Sequence, residues 1–220
     1  MKKELTKRII TSLLLILLFI LAIQYTYILI ISLIITSLIS WIEFNGLFAK
    51  IFIKSKYKIN IQYVFFKIAS LLYLIFFSVI VFYTVSDPLI KNYTIYFFCT
   101  CISSDVGGLM FGKFFGGKKL TKISPNKTIS GSIGSFTISL ILTPFFIYFI
   151  EYSSDPILVI LLTIITSLSC QLGDLFISYL KRKANVKNTG DLLPGHGGVL
   201  DRIDGILFAV PIALIILICL

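Results

Sequence analysis

The sequence predicts an all-α integral membrane protein, a polytopic bundle of about seven transmembrane helices with its charged loops on one side. Three observations carry this. The 220-residue chain is 57% hydrophobic and 14% charged, whereas a soluble domain of this size carries about 25% charged residues. Its apolar residues fall in runs that approach the length of a bilayer crossing, about 20 residues. Its excess cation, a net +10, sits in short clusters between those runs, as positive-inside loops do. No basic stripe with interleaved aromatics stands apart from a span, so nucleic acid is not an expected partner.

Met1-Lys-Lys-Glu-Leu-Thr-Lys-Arg8 opens the chain, and the apolar run at 9–24 lacks a small-residue cleavage site. It reads as a retained first helix rather than a signal peptide. Only Gln24-Tyr-Thr-Tyr27 separates it from a second run at 26–42, so a tight hairpin of short, tilted helices is expected. Lys50, Lys54, Lys56 and Lys58 follow. Further spans are expected at 64–85, 93–111, 133–150, 156–179 and 199–220. Lys113, Lys118, Lys119, Lys122 and Lys127 follow the fourth span; Lys181, Arg182, Lys183 and Lys187 follow the sixth. The opposite connections, 24–27, 86–92 and 151–155, share a single lysine. This alternation puts the N-terminus and the basic loops in the cytoplasm and the C-terminus outside. Cys99, Cys101, Cys170 and Cys219 all lie in apolar stretches without zinc-ligand or disulfide spacing, and read as small buried hydrophobes.

Asp105, Asp174 and the pair Asp201/Asp204 fall near the cytoplasmic ends of the fourth, sixth and seventh spans. A carboxylate at the centre of a membrane helix costs about 2.5–3.5 kcal/mol on insertion scales, and such groups are usually retained for a site. Any one of them alone reads equally well as a helix end facing headgroups; several at matching depth favour a shared site. Asp174, Ser178 and Arg182 recur at four-residue spacing, with Lys181 beside them, so they share one helix face. Asp201 and Asp204 share a face of the last helix, with Arg202 between them. Carboxylates on meeting faces suit magnesium, which takes one or two protein carboxylates and completes its shell with phosphate oxygens. Pro194-Gly-His-Gly-Gly198 precedes that helix, where backbone N–H groups of Gly197 and Gly198 can approach an anion. His196 is the sole histidine, which excludes a His-rich zinc site and argues against a Ser-His-Asp machine. It suits a phosphate contact or an acid, and turn packing equally well. Ser124-Pro-Asn-Lys-Thr128 offers two hydroxyls and an ammonium near Asp105; taken alone it is a turn with a helix cap. An evident general base is missing. A nucleophile that is already an anion, such as a phosphate monoester, needs none, only positioning and neutralised charge. The chemistry indicated is phosphoryl or nucleotidyl transfer to a lipid phosphate at the membrane face.

Ser178-x-x-Lys181-Arg182-x4-Lys187, then Pro194-Gly-His-Gly-Gly198, then Asp201-Arg202-x-Asp204, resembles the signature of the phosphatidate cytidylyltransferases (CDP-diacylglycerol synthases). Gln171-x-Gly173-Asp174, Asp105, Gly112 and Ser124-Pro-x-Lys127-Thr128 resemble family sequences too, so the likeness covers roughly 100–212. It implies a bacterial inner-membrane enzyme of phospholipid biosynthesis with a cytoplasm-facing site. That enzyme would convert CTP and phosphatidate to CDP-diacylglycerol and diphosphate, with Mg2+ or another divalent cation. The expected organisation is one polytopic domain, 1–220, with 1–92 as helical scaffold and 93–220 as catalytic helices and loops; a homodimer is compatible with it. By matched position Asp174, Asp201 and Asp204 would hold metal, with Asp105 as a further candidate. Lys181, Arg182, Lys187 and Arg202 would contact phosphates, Ser124, Lys127, Thr128 and Ser178 would assist, and His196, Gly197 and Gly198 would shape the pocket. Departures are Asn188 where the family usually has Asp, Lys113 where Arg is frequent, and Ser130 where Glu often occurs. Two other classes fit less well: a CTP-dependent polyprenol or phytol kinase-like lipid kinase, and a non-enzymatic lipid carrier. The CDP-alcohol phosphotransferase pattern does not continue beyond Asp204-Gly205.

Overall fold

The computed structural model describes residues 2–52, 61–149, 155–193 and 197–219. Among them the chain forms α1 (Lys2–Gln24), α2 (Thr26–Phe52), α3 (Ile61–Ser86), α4 (Lys91–Phe114), α5 (Ile129–Phe149), α6 (Pro156–Lys183) and α7 (Leu200–Cys219). The only extended pairings among the described residues are two isolated bridges, Lys119 with Thr128 and Leu193 with Gly197. The six helices from α2 to α7 are long and apolar enough to cross a membrane, while the apolar part of α1, Ile10–Gln24, is shorter. This is a polytopic helical membrane protein, as expected. Lys54, Lys56 and Lys58 of the second basic cluster, and most of the 151–155 connection, lie outside the described residues.

Two helices run well past the expected ends. α2 continues from 42 to Phe52 because its last turns are packed inside protein: Glu43, Phe44, Leu47 and Phe48 are buried. α6 continues to Lys183 and stops at Asn185, whose φ of 54° is left-handed. Val186 N–H donates to Lys181 O and Asn185 N–H to Arg182 O, the paired bonds by which a left-handed residue satisfies the last helical carbonyls. The break between α1 and α2 is a single residue, Tyr25, with Leu21 O and Leu29 N–H bonded to it on either side.

The chain divides into two compact units, Met1–Phe82 with Leu180–Ile203, and Tyr83–Tyr179 with Asp204–Leu220. In the first, α2 and α3 are joined by Ser37 and Ser78 hydroxyls at 2.7 Å and by Phe66 against Phe48 and Phe52, with centroids at 5.5 and 5.1 Å. Lys67 lies 5.3 Å over the Trp41 ring, and the indole N–H donates to Lys67 O. That pairing lets a cation sit beside an aromatic face instead of in hydrocarbon.

In the second unit α4 and α5 pack through small residues, which is how membrane helices bring backbones close. A Cβ added at Gly107 would overlap Gly134 O, and one at Gly134 would overlap the Phe111 side chain. Polar contacts fill the same interior. Tyr96 OH lies 2.5 Å from Thr163 Oγ1 and 3.1 Å from Thr143 Oγ1, and Ser104 lies 3.0 Å from Ser167. Gly134→Ala is therefore expected to destabilise the protein by about 1–3 kcal/mol through overpacking. Denaturant titration in detergent checks it, and an unshifted midpoint would contradict the close approach. Of the four cysteines, Cys101 and Cys170 are buried, Cys99 is half-buried and Cys219 is exposed, all with free thiols. The uniform reading of buried thiols therefore fails at Cys219, which lies on the outer face of the last turn of α7.

Candidate active site

The first unit holds the signature loop. α6 delivers Lys181 and Arg182, the Asn185 turn reverses the chain, and residues 187–199 lead into α7. Asp201, in the first turn of α7, gathers this segment with both carboxylate oxygens. Oδ1 takes the Lys181 ammonium at 2.7 Å, and Oδ2 accepts from Thr189 N–H at 2.9 Å and Gly198 N–H at 3.1 Å. The pair is well sheltered, with side-chain exposures of 17% for Lys181 and 8% for Asp201. An anion at a helix N-terminus is favoured by the helix dipole; here the protein's own carboxylate fills that place. Gly197, at φ 83°, exchanges backbone bonds with Leu193 and closes the middle of the loop. The Gly197 and Gly198 N–H groups, expected to meet an anion, are both taken up within the protein. Arg182 and Lys187, with Asn185 and Val186, line an open cleft of about 430 Å³. Arg202 is exposed on α7. His196 lies outside the described residues. Asn188, at the departure from the family pattern, stands against Gly197: a Cβ there would come 3.3 Å from Asn188 Cγ.

Glu43 was not among the residues singled out from sequence. It lies on α2 in the same unit, 7% exposed, and accepts from Thr189 Oγ1, Val199 N–H and Leu200 N–H at 2.7–2.9 Å. The signal was present, as an acid in an otherwise apolar helix is the anomaly that flagged Asp174.

The second unit carries the other acids. Asp174 pairs through Oδ2 with Lys127, and its Oδ1 accepts from Ser178 Oγ at 3.3 Å, one turn on along α6. Lys127 is presented by a loop tied back on itself, with Leu120 N–H donating to Lys127 O and Lys127 N–H to Ser124 O. Thr128 caps α5, its Oγ1 accepting from Gly131 N–H at 3.0 Å, the usual bond from an N-cap side chain to the third helical residue. Asp105 accepts a weak bond from Cys170 Sγ at 3.9 Å. α6 and α7 touch closely here: a Cβ at Gly173 would lie 2.7 Å from Asp204 O, and one at Gly205 2.5 Å from Cys170 Sγ. Both glycines thus set the approach of the helix segments that carry Asp174 and Asp204.

Among the described residues no group of three or more His, Cys, Asp or Glu side chains is gathered as for a metal ion. Asp174 and Asp204 with the Ser178 hydroxyl nevertheless have the oxygen chemistry of a magnesium site, which needs only one or two carboxylates when substrate phosphates supply the rest.

Comparison with known proteins agrees with the signature. The chain is 44% identical over 136 residues to the protein named phosphatidate cytidylyltransferase of Staphylococcus haemolyticus (strain JCSC1435), covering 61% of this chain and 52% of that one. It is 44% identical over 128 residues to the protein of that name from Staphylococcus aureus (strain COL), covering 58% and 49%. It is 42% identical over 134 residues to that of Rickettsia bellii (strain RML369-C), covering 58% of each. The chain thus spans about half the length of the curated relatives it matches. Residues 1–220 match the Cytidylyltransferase family throughout, and the protein belongs to that family.

Proposed function

We propose that this protein transfers the cytidylyl group of CTP to phosphatidate, giving CDP-diacylglycerol and diphosphate, at the cytoplasmic face of a bacterial cell membrane. The observation that carries this reading is the identity of 41–44% with proteins named for that activity. The ordered arrangement of Lys181, Thr189 and Gly198 around Asp201 supports it. The chemistry asks little of a general base. The lipid phosphate is an anion at neutral pH, and one of its oxygens attacks the α-phosphorus of CTP. A new P–O bond forms, the bond from the α-phosphorus to the bridging oxygen breaks, and diphosphate leaves with the electron pair. Rate then comes from alignment and from neutralising the phosphates.

Lys181, Arg182, Lys187 and Arg202 are assigned to the phosphates of the substrates, and Ser124, Lys127, Thr128 and Ser178 to their orientation. Asp174 and Asp204 would hold magnesium, which when bound neutralises charge on the reacting phosphates; Asp201, the third ligand expected from sequence, has both oxygens engaged by Lys181 and by the Thr189 and Gly198 N–H groups. Lys127 would be released from Asp174 as substrate phosphate arrives, so its ammonium serves either anion. Purified protein in mixed micelles with phosphatidate, CTP and magnesium is expected to release diphosphate in step with a cytidine-linked lipid. Absence of both products would overturn the proposal.

A further inference from the structure

We propose that Glu43 is a positioning residue, the buried carboxylate that pins residues 189–190 and 198–200, the two stems that join the phosphate-assigned cations Lys181, Arg182 and Lys187 to the start of α7; the proposal rests on the cytidylyl-transfer reading. Glu43 is the sole acid in α2, Thr26–Phe52. A buried, ionised carboxylate is retained only where hydrogen bonds offset its lost hydration. All three donors to it come from one place. Oε1 accepts from Val199 N–H, and Oε2 from Leu200 N–H and the Thr189 hydroxyl, each at 2.7–2.9 Å. Those amides belong to the start of α7, where the first N–H groups have no partner within the helix. A side chain more than 150 residues earlier in the chain therefore performs a cap that the loop itself does not supply.

The glycines agree. A Cβ at Gly190 would stand 2.7 Å from Glu43 Oε1, and one at Gly198 would overlap the Thr189 hydroxyl and stand 2.5 Å from Glu43 Oε2. These two positions lack side chains because the Glu43 carboxylate occupies the space. Thr189 couples the two acids: its N–H goes to Asp201 Oδ2 and its hydroxyl to Glu43 Oε2. Both stems of the glycine segment are thus pinned, one carboxylate from α2 and one from α7. The Thr189, Gly198, Val199 and Leu200 N–H groups are all committed to Glu43 or Asp201, so these four hold the loop together rather than a substrate phosphate. Gly190 and Gly198 serve close packing on Glu43.

The test compares the wild type with Glu43→Gln and Thr189→Val by amide hydrogen exchange and by steady-state kinetics. Glu43→Gln places an NH2 against donors; Thr189→Val removes one bond and keeps the volume. Exchange at Val199 and Leu200 is expected to speed by about tenfold or more in Glu43→Gln, the loss of one bond to a charged acceptor. Amides of α7 beyond Leu207 should keep their protection. KM for CTP should rise by more than kcat falls, and Thr189→Val should move both readouts the same way by less. Unchanged exchange and KM in both variants would overturn the proposal. So would a fall in kcat at constant KM, since that only reports fewer folded molecules. Should the wild type transfer no cytidylyl group, the functional reading fails and the exchange comparison alone decides the role of Glu43.

Discussion

Asp201→Asn is expected to lower turnover by about 100-fold or more, the cost of an ångström-scale misplacement in a positioned site. Asp201 spends one oxygen on the Lys181 ammonium and the other on two backbone N–H groups. Asparagine has a single acceptor oxygen. If that oxygen stays with Thr189 and Gly198, the amide NH2 faces Lys181, and a sheltered cation loses its partner. Breaking such a pair costs about 3–5 kcal/mol when it is buried, and the lower end suits the partial exposure of Lys181. Adding Lys181→Met removes the stranded cation while the asparagine oxygen keeps both backbone donors. The double variant is therefore expected to regain most of the lost stability and none of the turnover. Lys181→Ala alone should mainly raise KM for one phosphate substrate. Denaturation in detergent beside kinetics on the same preparations checks all three, and recovery of activity in the double variant would remove Lys181 from the site.

Asp204→Asn is expected to raise the magnesium concentration for half-maximal activity by at least about 10–100-fold, the range seen when outer partners of a metal are lost. Membrane insertion should be unchanged, because removing a charge from a spanning helix does not oppose it. Asp174→Asn should give the same shift with an added effect, since it also strips Lys127 of its partner. Manganese binding followed by electron paramagnetic resonance supplies a readout apart from turnover. Wild-type manganese affinity in both variants would dismiss the two carboxylates as ligands.

Most of the fold was legible because hydropathy reports directly on bilayer crossing: α3, α4, α6 and α7 start within three residues of the expected spans. The extension of α2 was not legible, since its last turns are buried by protein partners such as Phe66 that no local pattern names. Within the candidate site, four-residue spacing put Asp174 and Ser178 on one face of α6, and there their side chains meet. Thr128 as a helix cap was equally local. The pairings of Lys127 with Asp174 and Lys181 with Asp201 join residues from different elements, and charge alone could not choose among so many lysines. Glu43 was passed over because its partners are a hydroxyl and two amides, groups present everywhere in the chain. Gly190 and Gly198 mark the space taken by a distant carboxylate, which no local pattern of glycines reveals.

The most direct measurement is the fate of label from CTP with phosphatidate as acceptor. Label at the α-phosphorus should appear in the lipid and label at the γ-phosphorus in diphosphate, both dependent on magnesium. Transfer of the γ-label to lipid would make the protein a lipid kinase and contradict the account.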